Sequence, residues 1–137
     1  MLVVDAGPLV AVAASRDRHH TRCTTFLARA TRPLLVPALV VAEVGYFLAD
    51  RLGPEAERAF VAALRDAELI VEPVEPADWA RIHELLVEYA DLDLGLVDAS
   101  IVALLERLEL TELATLDHRH FGVVRPRHCD ALTLLPG

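Results

Sequence analysis

Short apolar runs alternate with stretches of helical periodicity along the whole chain, and this alternation constrains the fold most strongly. The runs predict strands at Leu2–Asp5, Leu34–Val36, Leu69–Val74, Leu113–Leu116 and Leu132–Leu135. The periodic stretches predict helices at Pro8–Ala14, His20–Ala30, Val40–Leu52, Pro54–Ala67, Ala77–Tyr89 and Leu96–Leu108. Strands separated by helices form a parallel sheet that is covered on both faces. We therefore expect an α/β protein, a three-layer α/β/α sandwich with a central, mostly parallel sheet.

Length and composition narrow the class of protein further. The chain has 137 residues, 54% of them hydrophobic, and no repeat or linker divides it, so we expect a single domain over residues 1–137. The longest uncharged stretches, such as PLLVPALVVA, are far shorter than the roughly 20 residues that span a bilayer, and no membrane association is expected. No secretory signal is visible, and Cys23 and Cys129 lack metal-ligand spacing. These features predict a cytoplasmic protein.

Four acidic residues stand where the predicted fold would bury them. Asp5 ends the first predicted strand and Asp117 follows the fourth, at the sheet edge where open α/β sheets bind ligands. Glu43 and Asp98 have mostly apolar neighbours at helical spacing, so both are expected to point towards the core. Each acid alone has a simpler explanation. The three aspartates lie near helix starts, where they could cap the helix or favour its dipole, and Glu43 could pair with an arginine.

Taken together, the four acids indicate a metal site. Converging carboxylates repel one another unless a cation holds them. The sequence contains no lysine, and its arginines lie mostly outside the apolar runs. Ligands that are all oxygen favour a hard divalent ion, Mg²⁺, with Mn²⁺ as an alternative. The usual chemistry of such a site is phosphoryl transfer.

The motifs that carry these acids resemble those of the PIN-domain ribonucleases and, within that family, the VapC toxins of bacterial toxin–antitoxin pairs. They are VVDAGPL with Asp5, AEV with Glu43, GLVDASIVAL with Asp98 and LATLDHRHF with Asp117, and in this order they cover essentially the whole chain. The resemblance implies a PIN-like sandwich and a Mg²⁺-dependent endoribonuclease. The chain would be the toxin of a type II, VapBC-like pair.

The resemblance also implies a role for each residue of the site. Asp5 and Asp98 would be the principal metal ligands, Glu43 would bind the metal or orient its water, and Asp117 would complete the cluster. Thr115 would hold the carboxylates or a substrate phosphate. Cleavage would leave a 5′-phosphate and a 3′-hydroxyl on the products.

Basic residues flank these motifs, although the net charge of −8 argues in general against a nucleic-acid partner. One basic cluster contains Arg16, Arg18, His19, His20 and Arg22, and the other contains His118, Arg119, His120, Arg125, Arg127 and His128. We expect Arg119 and Arg125 to contact RNA phosphates, the alternative for each being a solvated loop residue. Many relatives carry another acid shortly after Asp117, whereas this chain has histidine and arginine there, which argues against a second metal on that side.

The partners implied by the resemblance are an RNA substrate and a VapB-like antitoxin, with the chain as a homodimer or in a toxin–antitoxin hetero-oligomer. Other α/β functions lack their residues here: neither G-x-G-x-x-G nor G-K-[ST] occurs, which excludes the common nucleotide-binding loops. One alternative stays open. The chain could be an RNA- or antitoxin-binding module with a PIN fold that acts in a repressor complex without cleavage.

Overall fold

A computed structural model, which describes residues 1–137, confirms the predicted alternation of strands and helices. The strands are β1 (Leu2–Val4), β2 (Leu34–Pro37), β3 (Ile70–Glu72), β4 (Glu112–Ala114) and β5 (Thr133–Leu135). The helices are α1 (Ala6–Ala13), α2 (His20–Ala28), α3 (Ala38–Arg51), α4 (Pro54–Arg65), α5 (Asp78–Glu88), α6 (Leu96–Leu108) and α7 (His118–Phe121). A 3₁₀ turn at Ala90–Leu92 precedes α6.

All five strands are parallel and lie in the order β3-β2-β1-β4-β5. The chain runs outward from β1 through β2 to β3, and then returns to the other side of β1 with β4 and β5. Because parallel crossovers are right-handed, this reversal places α1 to α4 on one face of the sheet and α5 and α6 on the other. Helix contacts agree, since α1 packs on α2 and α3, α3 packs on α4, and α5 packs on α6. The expected three-layer sandwich is confirmed.

The reversal of strand order creates a crevice between β1 and β4, at the carboxyl ends of the strands. Val4 is paired with Ala114 there, so the segments that leave the two strands start side by side. Glycine at position 7 lets α1 approach the segment that follows β4, because a Cβ on Gly7 would lie 3.3 Å from the Cβ of Leu116. The backbone therefore brings Asp5 and Asp117 to the same crevice.

The core is one cluster of 25 buried apolar residues that lies around the central strands. β1 has neighbours on both sides and helices on both faces, and all three of its side chains are fully buried. Helix α6 buries every residue from Ala99 to Leu105, which explains why this segment is apolar on nearly all sides. None of the helices combines the length and the apolar character needed to cross a membrane.

Most predicted boundaries shift by one or two residues in the structure, and three short elements differ more from the sequence prediction. Strand β3 is three residues long instead of the predicted Leu69–Val74, because it pairs only with β2 and Pro73 has no N–H to continue the ladder. The 3₁₀ turn at Ala90–Leu92 and helix α7 were not predicted. A single turn contains too few positions for a periodic pattern.

Candidate metal centre

Asp5 directly follows the central strand β1 and is one of two buried acids in the protein. Its backbone N–H donates to the carbonyl of Ala114 in β4 at 2.9 Å. One carboxylate oxygen caps α1 by accepting from the N–H of Ala6 at 2.7 Å, and the other accepts from the Thr115 hydroxyl at 2.8 Å. Burial raises the pKa of Asp5, and these two hydrogen bonds offset only part of that effect. Asp5 thus caps α1 and also lies at the crevice between β1 and β4.

Thr115 fixes this carboxylate from inside the protein. Its side chain is fully buried, and its hydroxyl donates to Asp5 while accepting from the backbone N–H of Asp117 at 3.0 Å. Both hydrogen-bonding roles of the hydroxyl are therefore used internally. Of the two roles expected for Thr115, contact with a substrate phosphate is the less favoured, because its hydroxyl is fully buried and both of its hydrogen bonds are internal. Holding the carboxylates is the role that its position favours.

Asp98 lies in the first turn of α6, and its electrostatic surroundings show that the acids converge. Burial, and then the negative charges of Asp5 and Asp117, raise the pKa of Asp98 from 3.8 to about 6. Glu43 adds to this increase, whereas His120 opposes it. Since the interaction between charges falls with distance, mutual effects of this kind require that the groups lie close together. Four acids from distant parts of the sequence, Asp5, Glu43, Asp98 and Asp117, therefore lie near one another and are called the acid cluster. Of these four, only Asp98 and Asp117 have ligand atoms within 4.8 Å of each other in a group that could hold one ion.

Glu43 lies on α3 at the rim of the cluster, and the expectation that it points into the core is wrong. The buried side of α3 consists of Val40, Val44 and Leu48, and Glu43 is exposed beside it. Partial burial of the carboxyl group nevertheless raises the pKa of Glu43, and the negative charge of Asp5 raises it further. Glu43 lines a cleft of about 270 Å³ with Ala6, Gly7, Val10, Asp17, Phe47 and Leu116. A ligand that enters this cleft can reach Glu43.

Asp117 caps the short helix α7 and contacts His120. The sequence analysis did not predict His120 as a site residue and placed it only in a basic cluster. One carboxylate oxygen accepts from the backbone N–H of His120 at 3.0 Å, and the other lies 2.6 Å from its Nδ1. Burial raises the pKa of Asp117, but the bonds from His120 outweigh this and leave the pKa below its ordinary value. His120 stands three residues after the N-cap residue Asp117, which is the spacing at which a cap and a side chain of the first turn contact each other. This spacing is the sequence feature from which the contact could have been predicted.

His120 also brings a nitrogen atom into the acid cluster. Its Nδ1 lies 3.7 Å from Oδ2 of Asp98. Three ligand atoms, one each from Asp98, Asp117 and His120, lie within 4.8 Å of one another. This spacing is close enough for a single ion to contact all three. The hydrogen bond with Asp117 raises the pKa of His120, so the ring gains positive charge more readily than a free histidine.

No arginine neutralises the cluster. The other buried acid, Asp78, is paired with Arg107 at 3.1 Å, and the remaining arginine ion pairs likewise use acids outside the cluster. Asp98 and Asp117 have only His120 as a cationic neighbour, and Asp5 and Glu43 have none within 4.0 Å. Carboxylate oxygens that lie together without a counter-charge fit a divalent cation by both charge and donor type.

The basic clusters are only partly available to a ligand. Arg119 is exposed and makes no hydrogen bond through its guanidinium group. The guanidinium group of Arg125 donates to the carbonyl of Gly122 at 2.9 Å, at the end of α7. Arg22 is held by the carbonyls of Pro136 and Gly137, at 2.8 and 2.5 Å. Of these three arginines, Arg119 is the one whose charged group has no partner in the chain.

Comparisons with known proteins identify the family of the chain and relatives that share its fold. The family profile described as "PIN domain" matches residues 2–125. Ribonuclease VapC26 of Mycobacterium tuberculosis (strain ATCC 25618 / H37Rv) is 27% identical over 135 residues, which cover 98% of this chain and all of the relative. The crystal structure of Mycobacterium tuberculosis VapC20, described as a Sarcin-Ricin loop cleaving toxin, matches with a TM-score of 0.79 at 22% identity. That match covers 86% of this chain and 91% of the solved one, and it shows a shared fold.

Proposed function

The chain belongs to the PIN-domain family, and from this premise we propose that it is a divalent-metal-dependent endoribonuclease of the VapC type, the toxin of a type II toxin–antitoxin pair. The observation that carries the proposal is the cluster of four carboxylates at the switch point of the sheet, with no arginine to neutralise it. A protein that only bound RNA or an antitoxin would have no use for such a cluster, since burying like charges is costly. Cleavage is therefore favoured over binding alone.

Asp5, Asp98 and Asp117 are the proposed ligands of Mg²⁺ or Mn²⁺. The backbone N–H of Ala6 and the hydroxyl of Thr115 fix the Asp5 carboxylate before any ion binds, which lowers the reorganisation that binding would require. When bound, the ion supplies positive charge against the phosphodiester and increases the acidity of water. The buried side of the cluster faces the core, so substrate has to approach from the rim.

Glu43 is the proposed positioning group for the attacking water. It is exposed at the cleft while the aspartates are more buried, so a water molecule can reach it together with the substrate. Its raised pKa brings the carboxyl group closer to the neutral range in which a general base is effective. Direct metal ligation is the other role considered for Glu43, and its place at the rim favours the first.

The test is RNA cleavage by the purified chain with Mg²⁺ or Mn²⁺ and with EDTA. We expect cleavage with either ion, its loss in EDTA, and its return when excess ion is added. Mapping the ends of the products is expected to show 5′-phosphates and 3′-hydroxyls. A 2′,3′-cyclic phosphate would contradict the proposal, because it indicates attack by the 2′-hydroxyl of the RNA. Cleavage that persists in EDTA would contradict it as well.

Arg119 is the proposed phosphate contact, because its guanidinium group is exposed and has no partner in the chain. Arg125, which is tied to the carbonyl of Gly122, is proposed as a weaker contact. The logarithm of RNA affinity falls linearly with the logarithm of salt concentration. Replacing Arg119 with glutamine should make this slope less negative by about 0.7 for single-stranded RNA. The control is Arg58→Gln, on the exposed side of α4. An unchanged slope for Arg119→Gln would remove this residue from the contact surface.

The proposed protein partner is a VapB-like antitoxin, as the VapC names of the relatives imply. A wholly apolar cleft of about 270 Å³ between α1, α3 and α4 offers a surface for apolar side chains of such a partner. We propose a homodimer for the isolated chain and a hetero-oligomer for the pair, acting in the cytoplasm. Light scattering of the chain with and without a VapB-like antitoxin distinguishes these states.

A further inference from the structure

The imidazole ring of His120 is oriented from both sides. Nε2 lies 3.1 Å from the carbonyl oxygen of Leu92, in the 3₁₀ turn that precedes α6. On the other side, Nδ1 lies 2.6 Å from Oδ2 of Asp117 and 3.7 Å from Oδ2 of Asp98. A carbonyl oxygen can only accept a hydrogen bond, so Nε2 carries the hydrogen and donates it to Leu92. Nδ1 is the nitrogen that faces the two carboxylates. A carboxylate also only accepts, so in the metal-free protein Nδ1 donates to Asp117, and it has to lose this proton to water before it can bind an ion.

This arrangement is the one in which proteins hold histidines that bind metals. Such histidines donate their other ring N–H to a carbonyl or carboxylate, which fixes both the tautomer and the direction of the free nitrogen. Here the carbonyl of Leu92 plays that part, and Nδ1 is directed at the site. The ligand atoms of Asp98, Asp117 and His120 already lie within 4.8 Å of one another.

A simpler explanation is that His120 serves only as a counter-ion and capping partner of Asp117. That role accounts for the 2.6 Å contact with Asp117. It does not require the ring to contact a metal ion once the ion has neutralised the acids. The two roles make opposite predictions for the loaded site. A counter-ion would be released from the cluster, whereas a ligand would bond to the ion through Nδ1.

We propose that Nδ1 of His120 is a direct ligand of the metal centre, which makes the centre a mixed nitrogen and oxygen site that prefers Mn²⁺ to Mg²⁺. The inference rests on the proposed function, because it concerns the same site. The physical reason is the chemistry of the ions. Mg²⁺ takes oxygen ligands in nearly ideal octahedral geometry, whereas transition-metal ions accept imidazole nitrogen readily. One nitrogen among the carboxylates therefore lowers the relative affinity for Mg²⁺.

The direct test is pulsed electron paramagnetic resonance of the Mn²⁺-loaded protein, with histidine carrying either ¹⁴N or ¹⁵N. A nitrogen bonded to Mn²⁺ gives a coupling that changes with the isotope. We expect this coupling in the wild-type protein and in His118→Gln, and its loss in His120→Asp. His118 is the matched control, because it lies on the same short helix and its side chain is exposed.

Calorimetric titration gives a second readout that does not depend on activity. His120→Asp replaces the nitrogen with an oxygen donor, so this variant should still bind metal. We expect its ratio of Mn²⁺ to Mg²⁺ affinity to fall by about tenfold or more relative to wild type, the size of effect seen when the surroundings of a metal site are altered. His120→Asn, which adds no charge, is the second variant if the aspartate variant fails to fold.

The outcomes separate this inference from the proposed function. Saturable Mn²⁺ binding without nitrogen coupling in the wild type overturns the role of His120 and leaves a carboxylate metal site in place. Nitrogen coupling that persists in both His120 variants also overturns the assignment. If the wild-type protein shows no saturable Mn²⁺ binding, the proposed function and the further inference fail together.

Discussion

Replacing Asp98 with asparagine is expected to reduce RNA cleavage by at least about 10³-fold while leaving the fold intact. A metal ion contributes several kcal/mol of charge stabilisation to phosphoryl transfer, and about 4 kcal/mol corresponds to that factor. Asparagine has the shape of aspartate and lacks its charge, so the change weakens the hold on the ion. The helix itself does not need the carboxylate, because Gly95 occupies the N-cap position of α6 and Asp98 makes no hydrogen bond within the chain.

The matched control for this prediction is Asp66→Asn. Asp66 lies at the end of α4, is exposed, and has its pKa lowered by its ion pair with Arg65. It undergoes the same chemical change outside the acid cluster, so its cleavage rate should match that of wild type. Initial rates on one RNA, with both variants purified identically, provide the measurement. A variant Asp98→Asn that cleaves at more than a tenth of the wild-type rate would contradict the proposed role of Asp98.

The same substitution is expected to stabilise the metal-free protein at neutral pH. Folding raises the pKa of Asp98 from 3.8 to about 6, so the folded state disfavours the ionised form. Well below pH 3.8 the carboxyl group is protonated in both the folded and the unfolded chain, and the penalty is absent. As the pH rises from about 4 to about 6, the unfolded chain gains stability by ionising while the folded chain resists it. Above about pH 6 the full penalty applies.

The size of this effect follows from the difference between the two pKa values, because each pKa unit corresponds to about 1.4 kcal/mol. With an allowance for the solvent that reaches the partly exposed side chain, we expect Asp98→Asn to be more stable than wild type by about 2 kcal/mol at pH 7 in EDTA. The difference should fall to a small fraction of this value near pH 4. Burial also raises the pKa of Asp5 and of Glu43, so their contributions to the pH dependence have the same sign.

Urea unfolding followed by circular dichroism, at several pH values from 4 to 7.5, measures this difference. Comparing the two proteins at each pH cancels the effect of the distant ion pairs, such as Arg81 with Glu106, which weaken in acid in both. Excess Mn²⁺ should then reverse the order at pH 7, because the ion binds the folded wild-type protein and stabilises it. A difference in stability that does not change with pH would show that Asp98 is not held in a repulsive environment.

The main elements of the fold could be predicted because each one is encoded locally. The buried run Leu2–Val4 and the uniformly apolar segment of α6 carry patterns that depend only on neighbouring residues. The parallel sheet followed from the alternation of those elements, since parallel strands need long crossovers. Helix α7 could not be predicted in the same way. It is one turn long, and its N-cap residue, Asp117, is of a type that is equally common in turns.

The candidate site could be predicted only in part. Asp5 and Asp117 follow strands, and the position of a strand end in a parallel sheet is a property of the sequence order. The direction of Glu43 was not predictable from its apolar neighbours, because Tyr46 and Phe47, on the same side of α3, prove to be exposed. Thr115 and His120 could be placed only by contacts across the fold, with Asp5 in one case and with Leu92 in the other.

The amino-acid sequence by itself determined the order of the main strands and helices along the chain and the types of residue at the strand ends. It also determined the family to which the chain belongs. These properties arise from local periodicity and from motifs that short segments carry on their own. Only the tertiary structure decided that a buried hydroxyl fixes one carboxylate and that an imidazole nitrogen faces two others. Distances between side chains from remote segments depend on how the helices pack against the sheet, and no local pattern contains that packing.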